Sequence, residues 1–248
     1  MKYKDNFAQR FMNSFMGKRE EIKEEVKIPH IRKILKDLIN VSDDKWGLYA
    51  FRREPLKGKF SEDKKLELIE KANECGRKYA KKIRKENGDI TVYEIAKNLG
   101  VEVDYPQRPN GGGNIIFAQF VNPNKVTVFK DSVNKAFDLI EKENLEDLFN
   151  NVNIEEILLA HEIFHYIEEN NGKNMFTQTE TIRLWKLGNF KNDSNIVCLS
   201  EIAGMAFAKE LLNLKYSPYI LDSFLVYLYY PKVAYDLYRE IMDIVRLS

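Results

Sequence analysis

Several common signals are missing from this chain. It holds only two cysteines, Cys75 and Cys198, far apart and in no Cys-x-x-Cys pair. That excludes a Cys-rich zinc site and leaves two reduced thiols as the reading. Charge of one sign is also missing: 39 basic residues face 38 acidic ones, for a formal net charge of +1. There is then no electrostatic case for nucleic acid or acidic lipid as the main partner. No apolar run approaches the roughly 20 residues of a membrane span. The richest, Phe224 to Tyr230, is short and full of tyrosine. The N-terminal MKYKDNFAQRFMNSFMGKREE lacks an apolar core of signal-peptide length. A cytoplasmic protein without membrane contact is expected. No internal repeat is visible. Histidine is scarce, with three in 248 residues.

What is there suits a globular chain. At 44% hydrophobic and 248 residues, it can bury a sizeable core without disulfide staples. Residues 1–60 are highly charged and read as a helical N-terminal appendage. Within them Phe7 to Val26 and His30 to Leu38 are helical, Pro29 separates the two, and Ser42 to Phe60 is irregular. The main domain is placed at 61–248. Ser61 to Glu86 is helical, with Leu66, Ile69, Ala72, Cys75 and Tyr79 at three- and four-residue spacing. Its basic end, GRKYAKKIRKE, is read as a solvated helix face because acidic residues precede it. Thr91 and Glu94 have capping-box spacing, and Gly100 stops that helix. Strands are expected at Val101 to Tyr105, Asn114 to Val121 and Lys125 to Lys130. Gly111-Gly112-Gly113 leads into a strand and lacks a following Lys-Ser/Thr, so it reads as a turn and not a phosphate loop. Helices follow at about Val133 to Glu143, Ile154 to Glu169, Asn195 to Leu212, Pro218 to Tyr229 and Lys232 to Val245. This order predicts an α+β fold, with a small three-stranded sheet packed on a mainly helical core.

Two of the three histidines fall in His161-Glu162-Ile163-Phe164-His165, an H-E-x-x-H. Four residues apart on a helix, both imidazoles lie on one face and reach one ion, with Glu162 beside it. The helix around them is apolar nearly all round, through Ile157, Leu158, Leu159, Ala160, Ile163, Phe164 and Ile167. A helix of that kind is buried. Three polar side chains in such a place need a partner, and a cation resolves the cost of burying the carboxylate.

A catalytic zinc site takes three protein ligands and keeps one position open. No histidine follows His165, so the third ligand is a carboxylate, from Glu168, Glu180, Asp193 or Glu201. Glu168 shares the histidines' helix, where chelation by one straight helix is geometrically poor. Glu180 and Asp193 lie in polar stretches. Glu201 stands alone on an apolar, small-residue face with Val197, Gly204, Met205, Ala208 and Leu212. There Gly204 and Ala208 permit close approach of another helix. Glu201 is the choice this pattern favours.

LLAHEIFHYI from Leu158 to Ile167, with SEIAGMAFAKELL from Ser200 to Leu212, resembles the ImmA/IrrE family of metallopeptidase-like proteins. The family's second helix carries a glutamate, a small residue three on, Phe-Ala six and seven on, and a Leu-Leu pair. Here these are Glu201, Gly204, Phe207, Ala208, Leu211 and Leu212. DITVYEIAKNLGVEVDY resembles its opening helix and strand, so the likeness covers about 90–214. Phe164 and Leu214 depart from it, standing where glycine and proline are common. The resemblance implies a zincin-like fold, zinc held by His161, His165 and Glu201, Glu162 as the catalytic residue, and a protein substrate such as a helix-turn-helix repressor.

The chemistry expected is zinc-dependent peptide-bond hydrolysis, with Glu162 as general base. Tyr166, Tyr227 and Tyr230 are candidates for the oxyanion donor. Asn114 to Val121 is a candidate edge for an extended peptide. The stretch Asn171 to Asn195, with Phe176, Trp185 and Phe190, is a candidate wall or lid. The alternative readings are a regulatory protein that holds zinc without turnover, and a metal-free helical interaction module.

Overall fold

The computed structural model describes residues 28–107, 116–149 and 153–247. Helix α1 (Ile31–Ile39) reads IRKILKDLI, which turns Ile31, Ile34, Leu35 and Leu38 to one buried face. That face packs on the C-terminal helices α9 (Ile220–Tyr227) and α10 (Pro231–Arg246). Helix α2 (Asp43–Phe51) buries Trp46, Tyr49 and Phe51 against α3 (Glu62–Asn87), α8 (Cys198–Leu211) and α10. Trp46 stacks on Tyr219 with ring centroids 5.6 Å apart. Ile31, Ile34, Leu35, Leu38, Trp46, Tyr49 and Phe51 thus join the same hydrophobic core as the later helices. A high average charge in this stretch concealed a one-sided distribution of apolar residues in α1. The expected helix at Phe7 to Val26 lies outside the described residues.

Helix α3 starts where the Ser61 side chain accepts the Lys64 N–H, with Glu62 and Asp63 in the first turn. It ends at Gly88, whose φ of 73° suits a residue without Cβ. Its buried stripe includes Ile69, Ala72, Gly76, Ala80 and Ile83. Leu66, at the start of the periodic pattern, lies off that stripe and is exposed. The Thr91–Glu94 capping box forms at the start of α4 (Val92–Asn98), and Gly100, with φ 72°, turns the chain into β1 (Glu102–Asp104).

The sheet is small, as expected, with β2 (Ala118–Val121) and β3 (Lys125–Val128) completing it in the order β1–β3–β2. β1 runs parallel to β3 and pairs Val103 with Val126; β2 runs antiparallel and pairs Phe120 with Val126. The strands are shorter than the alternating patterns suggested. Residues 108–115, with the glycine run and the start of the second expected strand, lie outside the described residues. After α5 (Lys130–Lys142) comes α6 (Ile154–Asn171), which packs on β2, β3, α4, α5 and α8. Surrounded in this way, it buries Ile157, Leu159, Ala160, Ile163, Phe164 and Ile167, as its apolar circumference predicts.

One feature was not expected. Between the short helix α7 (Phe176–Thr179) and α8, the chain forms an antiparallel ribbon of β4 (Thr181–Leu187) and β5 (Phe190–Asn195). Trp185, Leu187 and Phe190 are exposed on it, and of its apolar residues only Ile182 packs on the core. Phe176, in contrast, packs against the core. The architecture is mixed α+β, with a small sheet against a mainly helical body. No helix among the described residues is long and apolar enough to cross a membrane.

Candidate metal centre

The site forms where α6 crosses α8. His161 and His165 sit one turn apart on α6, and Glu201 is in the first turn of α8. The approach of the helices is permitted by a residue without a side chain: a Cβ on Gly204 would lie 2.9 Å from His161 Cε1 and 3.0 Å from its Nδ1. The other flank of α8 is just as close to α3, where a Cβ on Gly76 would fall 2.1 Å from the Ala203 carbonyl oxygen. Gly204 of α8 thus admits α6, and Gly76 of α3 admits the α8 main chain, so α8, which carries Glu201, is held closely against both helices.

The geometry brings together the three residues expected as ligands. His161 Nε2 is 3.0 Å from His165 Nε2 and 3.3 Å from Glu201 Oε2. His165 Nε2 is 3.7 Å from Glu201 Oε1. One ligand atom from each lies within 4.8 Å of the others, a grouping that can hold a metal ion. Two ligands at about 2.0–2.1 Å from zinc, at a tetrahedral angle, stand roughly 3.3 Å apart. The observed separations bracket that value, so the donor set fits an ion of this size. The alternative third ligands fall elsewhere. Asp193 pairs with Arg183 and Lys191 on the ribbon, and Glu180 faces Lys64 at 3.9 Å.

Electrostatics make the pocket uneven. Glu162 is buried, and its Oε2 has no hydrogen-bond partner among the described residues. Burial pushes its carboxyl up; His161 and His165 oppose that, Glu201 adds to it, and the Phe120 backbone N–H of β2 opposes it. Burial also works to raise Glu201, but His161 and His165 outweigh it and hold that carboxyl below its usual range. Burial works to lower His165, yet the Glu168 contact and the carboxylates of Glu201 and Glu162 push it up to about 9. The buried Nδ1 of His161 has no partner among the described residues.

Glu168 has a different place from the one weighed for it in the sequence. It is buried, it accepts from Ser200 Oγ at 2.6 Å and from Thr177 Oγ1, and it faces His165 Nδ1 at 3.7 Å. Burial opposes its ionisation, but His165, Ser200 and Thr177 hold it at about 2. Its position three residues after His165 was the available signal for this contact.

Of the candidate oxyanion donors, Tyr166 donates its hydroxyl to the Leu99 carbonyl at 2.8 Å, Tyr227 packs against the core, and Tyr230 is exposed. The tyrosine within electrostatic reach of Glu201 is Tyr219, whose buried hydroxyl has no hydrogen-bond partner among the described residues. Asp222 stands nearby and accepts from the Tyr49 hydroxyl at 3.2 Å. Compared with known protein families, curated proteins and solved structures, the chain shows no match.

Proposed function

We propose that this chain is a zinc-dependent metallopeptidase of zincin-like fold. The reading is carried by one observation: His161, His165 and Glu201 converge on one point, with the buried, half-unpartnered carboxylate of Glu162 beside them. Two imidazoles and a carboxylate are the donor set of hydrolytic zinc enzymes. A bound zinc would supply Lewis acidity, which acidifies water and polarises a substrate carbonyl. Glu162 then accepts the proton of the attacking water and passes it to the leaving amine. Its burial and its free oxygen suit it to hold a proton in transit. Among the described residues β2 is an edge of its sheet, and it runs beside Glu162, so an extended peptide added to that edge would pass the carboxylate.

The resemblance to the ImmA/IrrE family supports a protein substrate, such as a helix-turn-helix repressor. The test is metal content of the purified protein together with cleavage of a cognate repressor. Wild type should carry about one zinc per chain, and His161→Ala and Glu201→Ala should carry none. Glu162→Gln should keep the metal and lose turnover. Equal, minimal cleavage by wild type and Glu162→Gln would instead establish a zinc-holding regulatory protein.

A further inference from the structure

The two ligand histidines are held in different ways. Both turn Nε2 toward the Glu201 carboxylate. Behind His161, Nδ1 lies over Gly204 and has no partner among the described residues. Behind His165, Nδ1 meets Ser200 Oγ at 3.3 Å and the Glu168 carboxylate at 3.7 Å.

Counting protons assigns the roles in that second cluster. Ser200 has one hydroxyl proton, and at 2.6 Å it goes to Glu168, because a carboxylate can only accept. Toward His165 the same oxygen can then only accept, so the proton between them belongs to Nδ1. With Nδ1 protonated, the Nε2 lone pair is left for a metal. Glu168 sets this order from one turn along the same helix. It is itself anchored from two other directions, by Thr177 of α7 and Ser200 of α8.

A purely structural account of Glu168 is weak. The residue is buried on a helix whose neighbours are apolar, and a leucine there would avoid the cost of taking a charge out of water. What a leucine could not do is orient the ring. We propose that Glu168 is the positioning residue of the centre: through Ser200 it makes His165 an Nε2 ligand, and through Thr177 and Ser200 it locks α6 and α8 at the angle that gathers the ligands. This rests on the metal-centre reading above. It also gives the foot of the ribbon a link to the site, because Thr177 precedes β4 by four residues.

The test uses the full chain, with chelator-competition titration of Zn2+ and visible absorption of the Co2+-loaded protein. Parent, Glu168→Gln, Ser200→Ala and Thr177→Val are compared. Glu168→Gln should weaken zinc binding about 10- to 100-fold and shift the cobalt bands. Ser200→Ala should do so to a lesser degree, and Thr177→Val least, since it leaves the groups behind Nδ1 in place. A merely structural role would lower the unfolding midpoint of the metal-free protein and leave the cobalt spectrum unchanged. Zinc affinity of Glu168→Gln within twofold of the parent, with a parent-like spectrum, would overturn the proposal. If Glu168→Gln does not fold, a parent-like Ser200→Ala overturns it equally. A parent that binds neither ion removes the metal-centre reading itself, a flat titration distinct from both other outcomes.

Discussion

Replacing Gly76 with alanine tests how closely the frame around the site is packed. The added methyl would sit 2.1 Å from the Ala203 carbonyl oxygen and 2.8 Å from the Phe207 backbone nitrogen. That is about 1 Å inside ordinary van der Waals contact, and both atoms are main chain, so no rotamer change relieves it. Helix α3 must draw back from α8, and the buried contacts of Ala72, Ala80 and Phe207 loosen with it. Alanine gains about 1 kcal/mol over glycine in a helix interior. Overpacking costs about 1–3 kcal/mol when side chains can adjust, and more when backbone must move. The net expectation is a loss of about 2 kcal/mol, or roughly 4–8 °C in unfolding temperature for a chain of this size. Urea unfolding of the metal-free protein, followed by circular dichroism, measures it. Gly47→Ala should destabilise as well: its methyl would meet Ile69 Cγ2 at 2.3 Å and Cγ1 at 2.7 Å, both branches of a buried side chain that is stiff at χ1. A Gly76→Ala midpoint equal to or above that of the parent would refute the argument.

Gly204→Ala should leave the fold largely intact but displace the His161 ring, and a zinc titration should show at least tenfold weaker binding (about 1.4 kcal/mol); unchanged affinity would contradict the close contact. Zinc at a thousandfold over its dissociation constant should stabilise the parent by about 4 kcal/mol, an effect that a chelator reverses and that Glu201→Ala abolishes in thermal melts. Asp222 is pushed up to about 6, chiefly by burial, against the pull of Arg53 and Tyr49. An acid with a raised folded pKa is a source of stability at low pH that is lost as pH rises from its unfolded value through about 6. Asp222→Asn should accordingly raise the urea midpoint of metal-free protein at pH 7.5, within a ceiling of about 3 kcal/mol, and leave it unchanged near pH 4. An equal change at both pH values would sink that account. If the chain is the proposed zinc peptidase, trimming the ribbon between Arg183 and Asp193 to a tight turn should alter turnover of a protein substrate while leaving zinc affinity at the parent level; loss of metal binding would show that the ribbon belongs to the site's frame.

The parts of this protein that could be read from residues alone are those where local pattern and burial agree. The apolar circumference of α6 and the four-residue spacing of His161 and His165 together define a buried helix with one polar face. Glu201 was found as a lone carboxylate on a face that includes Gly204 and Ala208, and the reason for the glycine is now visible in the close approach of His161. The Thr91–Glu94 box is legible because its bonds are local. What was missed depends on contacts distant in sequence. The apolar face of α1 is short and interrupted by lysines, and only α9 and α10 give it a purpose. Glu168 needs Ser200 and Thr177, 32 and 9 residues away, to differ from an ordinary helical glutamate. β4 does alternate, with Ile182 and Leu184 half-buried between exposed Thr181, Arg183 and Trp185, but β5 reads FKNDSN and offers almost no apolar residue to mark a partner strand. The Gly188-Asn189 pair between Leu187 and Phe190 was a further local clue, a two-residue hairpin signal.

The ribbon leaves the body and returns at one place, since Thr181 pairs with Asn195. Everything between is a closed detour, and the chain on either side is already where it needs to be. A single protease cut at the Gly188-Asn189 tip would thus divide the molecule into two fragments with complementary shares of the centre. The N-terminal piece would keep both imidazoles and Glu162, and the C-terminal piece would keep Glu201. Helices α3 and α6 on one fragment and α8 on the other would still interlock through Gly76 and Gly204. A nicked protein should therefore survive gel filtration as one particle with the His161, His165 and Glu201 grouping intact, which makes this tip a natural point for splitting and reassembling the centre from two polypeptides.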